Sequence, residues 1–269
     1  MKFLRRIIGL VDRTLFYGIL KRIYEKEIFE RSLNNHNPNL FKHGFSGQYI
    51  KNNNSSLNVL SDKYGSDKGE VNSEENPYPW QSHSYSDIYE LLFRLRRTDI
   101  EIVIECGLGT NNPDLKSSMG INGKPGASLR VWRDFFPNAQ IIGIDIDANI
   151  LFEEERIKTF ECDQTSSKSI DNFCKSASLA PSSVDIIIDD GLHEFHAGKS
   201  LFQTINKYLA VDGIYVIEDV IPSDYIQYKD YFSELESKFT VHFLSLHRPD
   251  TNVEANRLII IRHNDQLKI

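Results

Sequence analysis

Between Asp189 and His196 the chain reads DDGLHEFH, placing two adjacent aspartates and two histidines within one short stretch beyond an apolar run, VDIII. A second acidic pair, Glu218 and Asp219, follows another apolar run, GIYVI. Two kinds of chemistry suit such residues: carboxylates can hold a hard cation, and an imidazole can move a proton near neutral pH. Asp190, Glu218 and Asp219 follow consecutive apolar runs and offer oxygen ligands with no thiolate, which suits Mg2+ or another hard divalent ion. Zinc would more often recruit cysteine or several histidines. His193, three residues beyond Asp190, is the candidate base. His196 shares a helix face with His193 if both are helical, and is expected to be an ordinary helix residue or a supporting partner. The plainer alternative is a polar loop in which Asp189 or Asp190 caps a helix starting near His193 and Glu218 pairs with a lysine.

The elements that must position these groups alternate in type. EIVIECGLG, AQIIGIDID, IKTFECDQT, VDIIIDDG and DGIYVIEDV read as strands. GASLRVWRDFF, SIDNFCKSA and HAGKSLFQTINKYLA read as the helices between them. This alternation predicts an α/β fold with a mostly parallel sheet covered on both faces. FTVHFLSLH and ANRLIIIRHN predict an antiparallel pair at the sheet edge, joined by a turn around Pro249 and Asp250. A further helix is expected from about Tyr85 to Leu95, after a long polar, aromatic loop. Residues 32–56, rich in Asn, Gly and Ser, read as loop or linker.

Ligands of open α/β sheets bind beyond the carboxyl ends of the strands. Five such ends here carry acids: Glu105, then Asp145 with Asp147, Asp163, Asp189 with Asp190, and Glu218 with Asp219. In ECGLGT, Gly107 and Gly109 permit a close approach of ligand to backbone. The alternative is an ordinary tight turn. Asp145 is placed to hold ribose hydroxyls, and Asp163 to accept from an adenine amino group. No further glycine opens a helix, and a long loop, TNNPDLKSSMGINGKPGAS, intervenes. A nucleoside without a pyrophosphate therefore fits better than a dinucleotide.

The chain has 269 residues, which fits one large α/β domain with extensions or two small domains, and 40% of them are hydrophobic, enough for a sizeable core. Its formal net charge of -7 and lack of basic stripes argue against nucleic acid as a partner. Cys106, Cys162 and Cys174 show no paired spacing, which suits a reducing compartment, and a cytoplasmic location is expected. Leu15, Phe16, Ile19, Leu20 and Ile23 recur at helical spacing and predict an amphipathic helix that packs on the body or on another subunit, a route to a homo-oligomer. Peripheral membrane contact through Lys2, Arg5 and Arg6 is the alternative. A spanning helix needs about 20 consecutive apolar residues, and the sequence has no such run. The expected division is an N-terminal extension, residues 1–59, and a main domain, residues 60–269.

KYGSDKG, HSYSDIYE, IECGLGT, GKPGASLRVWRDFFPNAQIIGIDID, CDQT, DDGLH and IEDV, spread from about Leu60 to His263, resemble the class I S-adenosylmethionine-dependent methyltransferases. More narrowly, they resemble the metal-dependent sugar O-methyltransferases of macrolide tailoring and polysaccharide modification. The resemblance implies a Rossmann-like, seven-stranded, mostly parallel sheet with a C-terminal antiparallel strand pair. It implies that Glu105 and Gly107 line the methionine part of S-adenosyl-L-methionine, that Asp145 holds the ribose, and that Asp163 and Gln164 border the adenine. Lys68 and Ser128 become neighbours of the cofactor. Asp190, Glu218 and Asp219 become Mg2+ ligands and His193 the general base. The implied substrate is a small molecule or glycan with a vicinal diol, methylated in the biosynthesis of a bacterial surface polysaccharide or a glycosylated natural product. The rival readings are a catechol-type O-methyltransferase and a NAD-dependent oxidoreductase.

Overall fold

The computed structural model describes residues 44–48 (backbone only), 52–70, 78, 80–247 and 256–264. The expected amphipathic helix and the turn at Pro249 and Asp250 lie outside the described residues.

Four strands form the middle of one nine-stranded sheet: β2 (Ile102–Cys106), β3 (Gln140–Asp145), β6 (Val184–Asp189) and β7 (Leu209–Ile217). Their near-continuous runs of Ile and Val are what parallel strands with both faces covered require. β1 (Gly44–Gln48), β4 (Glu153–Glu154), β5 (Ile157–Glu161), β8 (Phe239–His247) and β9 (Arg257–His263) complete the order β1-β8-β9-β7-β6-β2-β3-β5-β4. β2 is parallel to both neighbours, with Val103 opposite Ile141 and Ile186. The expected C-terminal pair is present: β9 runs antiparallel to β7 and to β8.

Two strands exceed the expected seven. β4 is a two-residue antiparallel edge on β5, and β1 runs parallel to β8 inside the stretch read as linker. GFSGQ carries no apolar alternation, so nothing in its side-chain pattern marks it as a strand.

One face of the sheet is covered by α1 (Ser56–Tyr64), α2 (Tyr85–Phe93) and α3 (Ala127–Phe135), through a core that includes Leu57, Tyr85, Tyr89, Phe93, Trp132 and Phe135. The other is covered by α4 (Ser167–Ser176), α5 (Phe195–Ile205) and α6 (Pro222–Ser233), around Phe173, Leu201, Phe202, Tyr228 and Phe232. Two helices were not expected. α1 has only a thin apolar stripe, but it starts on a Ser55 cap and ends on Gly65 at φ 73, the left-handed stop that favours glycine. It runs through the boundary expected at residues 59 and 60. α6 begins on Pro222, a residue already set to helical φ.

Because β2, β3, β5, β6 and β7 are parallel, their carboxyl ends share one rim. Backbone bonds extend just past those ends: Gly107 N donates to Ile144 O, Cys162 N to Asp145 O, Asp190 N to Cys106 O, and Glu218 N to Asp189 O, all at 2.8–2.9 Å. The loops carrying the acids are thereby stitched to the sheet.

Candidate active site

A cavity of about 640 Å³ opens over this rim. Its wall includes Lys68, Gly107, Ser128, Asp145, Asp163, Gln164, Asp190, His193, Glu218 and Asp219. Of the residues that the resemblance assigns to cofactor, ion or base, Glu105 alone is not in the wall; it has no exposed surface and lies beneath it.

The floor depends on a near-contact of two loops. Gly107 has φ 92, and a Cβ there would meet Asp190 O at 2.0 Å; one on Gly191 would meet Gln164 Oε1 at 1.9 Å. Both positions need glycine for lack of space, and Gly107 also for its left-handed backbone.

Over β2, β3 and β5 the acids are held locally. Asp145 accepts from the backbone N–H of Leu108 at 2.7 Å and of Asp147 at 2.9 Å. Burial nonetheless raises its pKa, against those bonds. Asp147 caps a short 3-10 turn through Asn149 N and accepts from Thr110 Oγ1. Asp163 accepts from the N–H and the hydroxyl of Thr165. Gln164 spans two strand ends: its Nε2 donates to Asp189 Oδ1 at 3.0 Å, and its Oε1 accepts from Leu192 N at 2.7 Å. Burial lifts Asp189 to about 6, and its Oδ2 has no hydrogen-bond partner.

Over β6 and β7 the charges are paired across the fold. Lys68, almost wholly buried, donates from Nζ to Asp190 Oδ2 at 2.5 Å and to Glu218 Oε2 at 2.6 Å, and lies 3.2 Å from Glu105 Oε1. Burial alone would lower the Lys68 pKa, but Asp190, Glu218 and Glu105 hold it well above its ordinary value. Tyr89 Oη donates to the other oxygen of Glu218, and Tyr85 Oη donates to Asp219 Oδ1 at 2.6 Å. Trp132 Nε1 donates to Glu105 Oε2 at 2.8 Å.

His193 precedes α5 rather than lying on it, at φ 57; Asp219, at φ 54, and Ser117, at φ 57, are the other left-handed residues in the wall that are not glycine. Strained backbone of this kind clusters at functional sites. His193 Nε2 is 3.2 Å from Asp190 Oδ1, and its Nδ1 is 3.9 Å from Asp219 Oδ2. Burial pulls the imidazole down, yet the bond to Asp190 and the charges of Asp219, Asp190 and Asp189 push it up to about 10. His196 is exposed and pairs only with nearby Glu194, as expected of an ordinary helix residue. Neither Asp189 nor Asp190 caps α5: Asp224, on α6, accepts from Phe195 N at 2.8 Å.

Asp190, His193 and Asp219 each offer one ligand atom, and these atoms lie within 4.8 Å of one another. Glu218 is not brought into that group, since Lys68 and Tyr89 engage its two oxygens. Four carboxylates, counting buried Glu105, stand around one ammonium and the imidazoles of His193 and His83, so the pocket is rich in hard oxygen donors. The residues therefore fit a hard divalent cation.

Sequence reasoning missed Tyr85, Tyr89 and Trp132, which hold the acids in place, and His83, whose Nδ1 lies 3.5 Å from Asp219 Oδ1. Tyr85 and Tyr89 are four apart in HSYSDIYE, so one helix face presents both hydroxyls, a signal that could have found them.

No protein-family model matches the chain. Mycinamicin VI 2''-O-methyltransferase of Micromonospora griseorubida is 32% identical over 139 residues, which cover 51% of this chain and 32% of that protein. The 8-demethyl-8-alpha-L-rhamnosyl tetracenomycin-C 2'-O-methyltransferase of Streptomyces olivaceus is 28% identical over 185 residues, 69% of this chain and 43% of the relative. The chain thus spans less than half the length of these two curated relatives. Among solved structures, MycE methyltransferase from the mycinamycin biosynthetic pathway, in complex with Mg and SAH, superimposes with a TM-score of 0.56 at 23% identity, over 80% of this chain and 57% of that one. The chain has the Rossmann-like fold of a class I methyltransferase and is related in sequence to these O-methyltransferases.

Proposed function

We propose that this chain transfers a methyl group from S-adenosyl-L-methionine to a hydroxyl of a sugar bearing a vicinal diol, with Mg2+ as the assisting ion. The observation that carries this reading is the convergence of Asp190, His193 and Asp219 in the wall of a cavity that Gly107, Asp145, Asp163 and Gln164 also line. The tailoring of glycosylated natural products or of bacterial surface polysaccharide is the corresponding setting.

Asp145 binds the two ribose hydroxyls while its backbone bonds fix its direction. Asp163 and Gln164 border the adenine. Gly107 leaves the methionine end room against the β2 loop. Ser128 and Lys68 stand at the junction of the cofactor and metal halves, and Glu105 acts from beneath by holding Lys68. When bound, the cofactor supplies a methyl group on a positively charged sulfur, and the surrounding acids suit that charge. Asp190 and Asp219 hold the ion, and Glu218 steadies the cluster through Lys68. When bound, Mg2+ supplies positive charge that favours loss of a proton from a sugar hydroxyl, a poor nucleophile otherwise. His193 takes that proton. In the arrangement described, its two acidic neighbours keep the imidazole protonated; compensating their charge lowers its pKa and frees it to act as a base. Aligning acceptor and methyl group is the remaining task of the cavity.

The test is calorimetry with S-adenosylhomocysteine and with NAD, followed by a methyl-transfer assay on vicinal-diol sugars after EDTA treatment and Mg2+ titration. The adenosyl ligand should bind and NAD should not, and turnover should return with the ion. NAD binding without adenosyl binding, or full turnover after verified metal removal, would overturn the reading.

A further inference from the structure

Lys68 places its ammonium at the centre of three carboxylates. Nζ lies 2.5 Å from Asp190, 2.6 Å from Glu218 and 3.2 Å from Glu105. Asp190 therefore faces two ways: Oδ2 toward Lys68, and Oδ1 toward His193 and the cluster that can hold a divalent ion. The ammonium and the ion would share one carboxylate, and like charges so close repel strongly in a partly dehydrated pocket.

The backbone carrying Lys68 is fixed by bonds that do not involve the ammonium. Lys68 O accepts from Ser86 N at 2.9 Å and from Ser86 Oγ at 2.8 Å, and Asp67 O accepts from His83 N at 2.7 Å. Gly69 packs so tightly that a Cβ would meet Ser86 Oγ at 2.4 Å and Asn58 Oδ1 at 2.8 Å. Removing the charge at residue 68 should leave its loop in place.

We propose that Lys68 is a built-in counter-cation of the metal half of the site. It keeps the acids assembled when no ion is bound, it fixes Asp190 with Oδ1 toward the ion, and it weakens the ion's affinity by repulsion, so that the ion can exchange. Lys68 is a positioning residue in this role. The inference rests on reading Asp190, His193 and Asp219 as the ion's site.

The experiment is Mg2+ calorimetry and thermal melting on EDTA-treated wild type, Asp219→Asn, Lys68→Gln and the double variant Lys68→Gln/Glu105→Gln. The double variant keeps the cluster's net charge and serves if the single variant fails to fold. Wild type should bind Mg2+ and Asp219→Asn should bind it far more weakly. Lys68→Gln should melt below wild type in EDTA, bind Mg2+ at least about tenfold tighter, and gain more in melting temperature from Mg2+. The double variant should also bind more tightly than wild type. A purely structural lysine would lower the melting temperature without tightening the ion. Binding by wild type with equal or weaker binding in both Lys68 variants overturns the proposal and spares the metal reading. No Mg2+ binding by wild type overturns the metal reading, and the proposal with it.

Discussion

The two halves of the cavity are built differently. Over β2, β3 and β5, Asp145, Asp147 and Asp163 are satisfied by backbone N–H groups and hydroxyls of their own or adjacent strand-end loops. Over β6 and β7, Asp190, Glu218 and Asp219 are held by Lys68, Tyr85 and Tyr89, which come from 122 to 150 residues away. The first half is complete with the chain alone. The second holds more acid than base, and that excess is what a bound cation would relieve. Local closure suits a rigid seat for a nucleoside; long-range charge pairing suits a centre where charge moves.

The sharpest way to break this comparison is to remove one group from the second half and ask whether the first notices. His193→Ala should cut methyl transfer by about 10²–10⁴-fold, with added Mg2+ giving no rescue. Asp219→Asn should lose activity that excess Mg2+ partly restores. In both variants calorimetry should find affinity for S-adenosylhomocysteine within a few-fold of wild type. A large loss of adenosyl affinity would mean that the halves are one unit. Near-normal turnover in His193→Ala would reassign the base, with His83 next to be tested because its ring also approaches Asp219.

The reciprocal cut is smaller. Asp145→Ala should weaken S-adenosylhomocysteine by the loss of charge-assisted hydrogen bonds, each worth about 1.5–3 kcal/mol, while Mg2+ affinity holds. Unchanged adenosyl affinity would remove Asp145 from the ribose role. Smaller again is Tyr89→Phe, which leaves one buried oxygen of Glu218 without its donor. Urea unfolding should show a loss of about 1–3 kcal/mol that shrinks when Mg2+ is present. A Mg2+-independent loss would assign Tyr89 to the core alone.

This division also explains what the sequence makes legible. Strand runs such as IVIEC and VDIIID announce buried parallel strands, and the acids at their ends follow by position, so the fold class and the strand-end acids of the cavity wall can be read directly. β1 cannot, because edge pairing by GFSGQ uses backbone and leaves no apolar pattern. α6 was hidden by its polar composition, although Pro222 marked its start. Locally closed residues such as Asp145 are placed by their own strand. Lys68 lines the cavity and is also pinned between Asp190 and Glu218, and Glu105, implied to line the cofactor, lies below the wall. Both depend on contacts between distant segments, which spacing along one chain does not encode. No helix among the described residues is long and apolar enough to cross a membrane.

The smallest effect concerns the joint between the halves. α1, which leads to Lys68, is tied to α3, which starts beside Ser128, by a cluster on Asp134. Lys63 Nζ donates to Asp134 Oδ2 at 2.9 Å, Tyr64 Oη to the same oxygen at 2.5 Å, and Arg133 Nε to Oδ1 at 2.9 Å. Burial pushes the Asp134 carboxyl up, but the bonds from Tyr64, Lys63 and Arg133 prevail and hold it at about 2. A carboxylate depressed in the folded chain stabilises it above its unfolded pKa, near 3.9, and that stability fades as pH falls toward 2. With Lys63 largely exposed, screening reduces the effect to about 1–2 kcal/mol. Urea midpoints of wild type and Asp134→Asn should therefore differ most at pH 5 and above, and converge between about pH 4 and pH 2. Adenosyl and Mg2+ affinities at pH 7 should not change. If Asp134→Asn weakened both ligands together, α1 and α3 would form a mechanical link between the halves, and the separation argued above would fail at this joint.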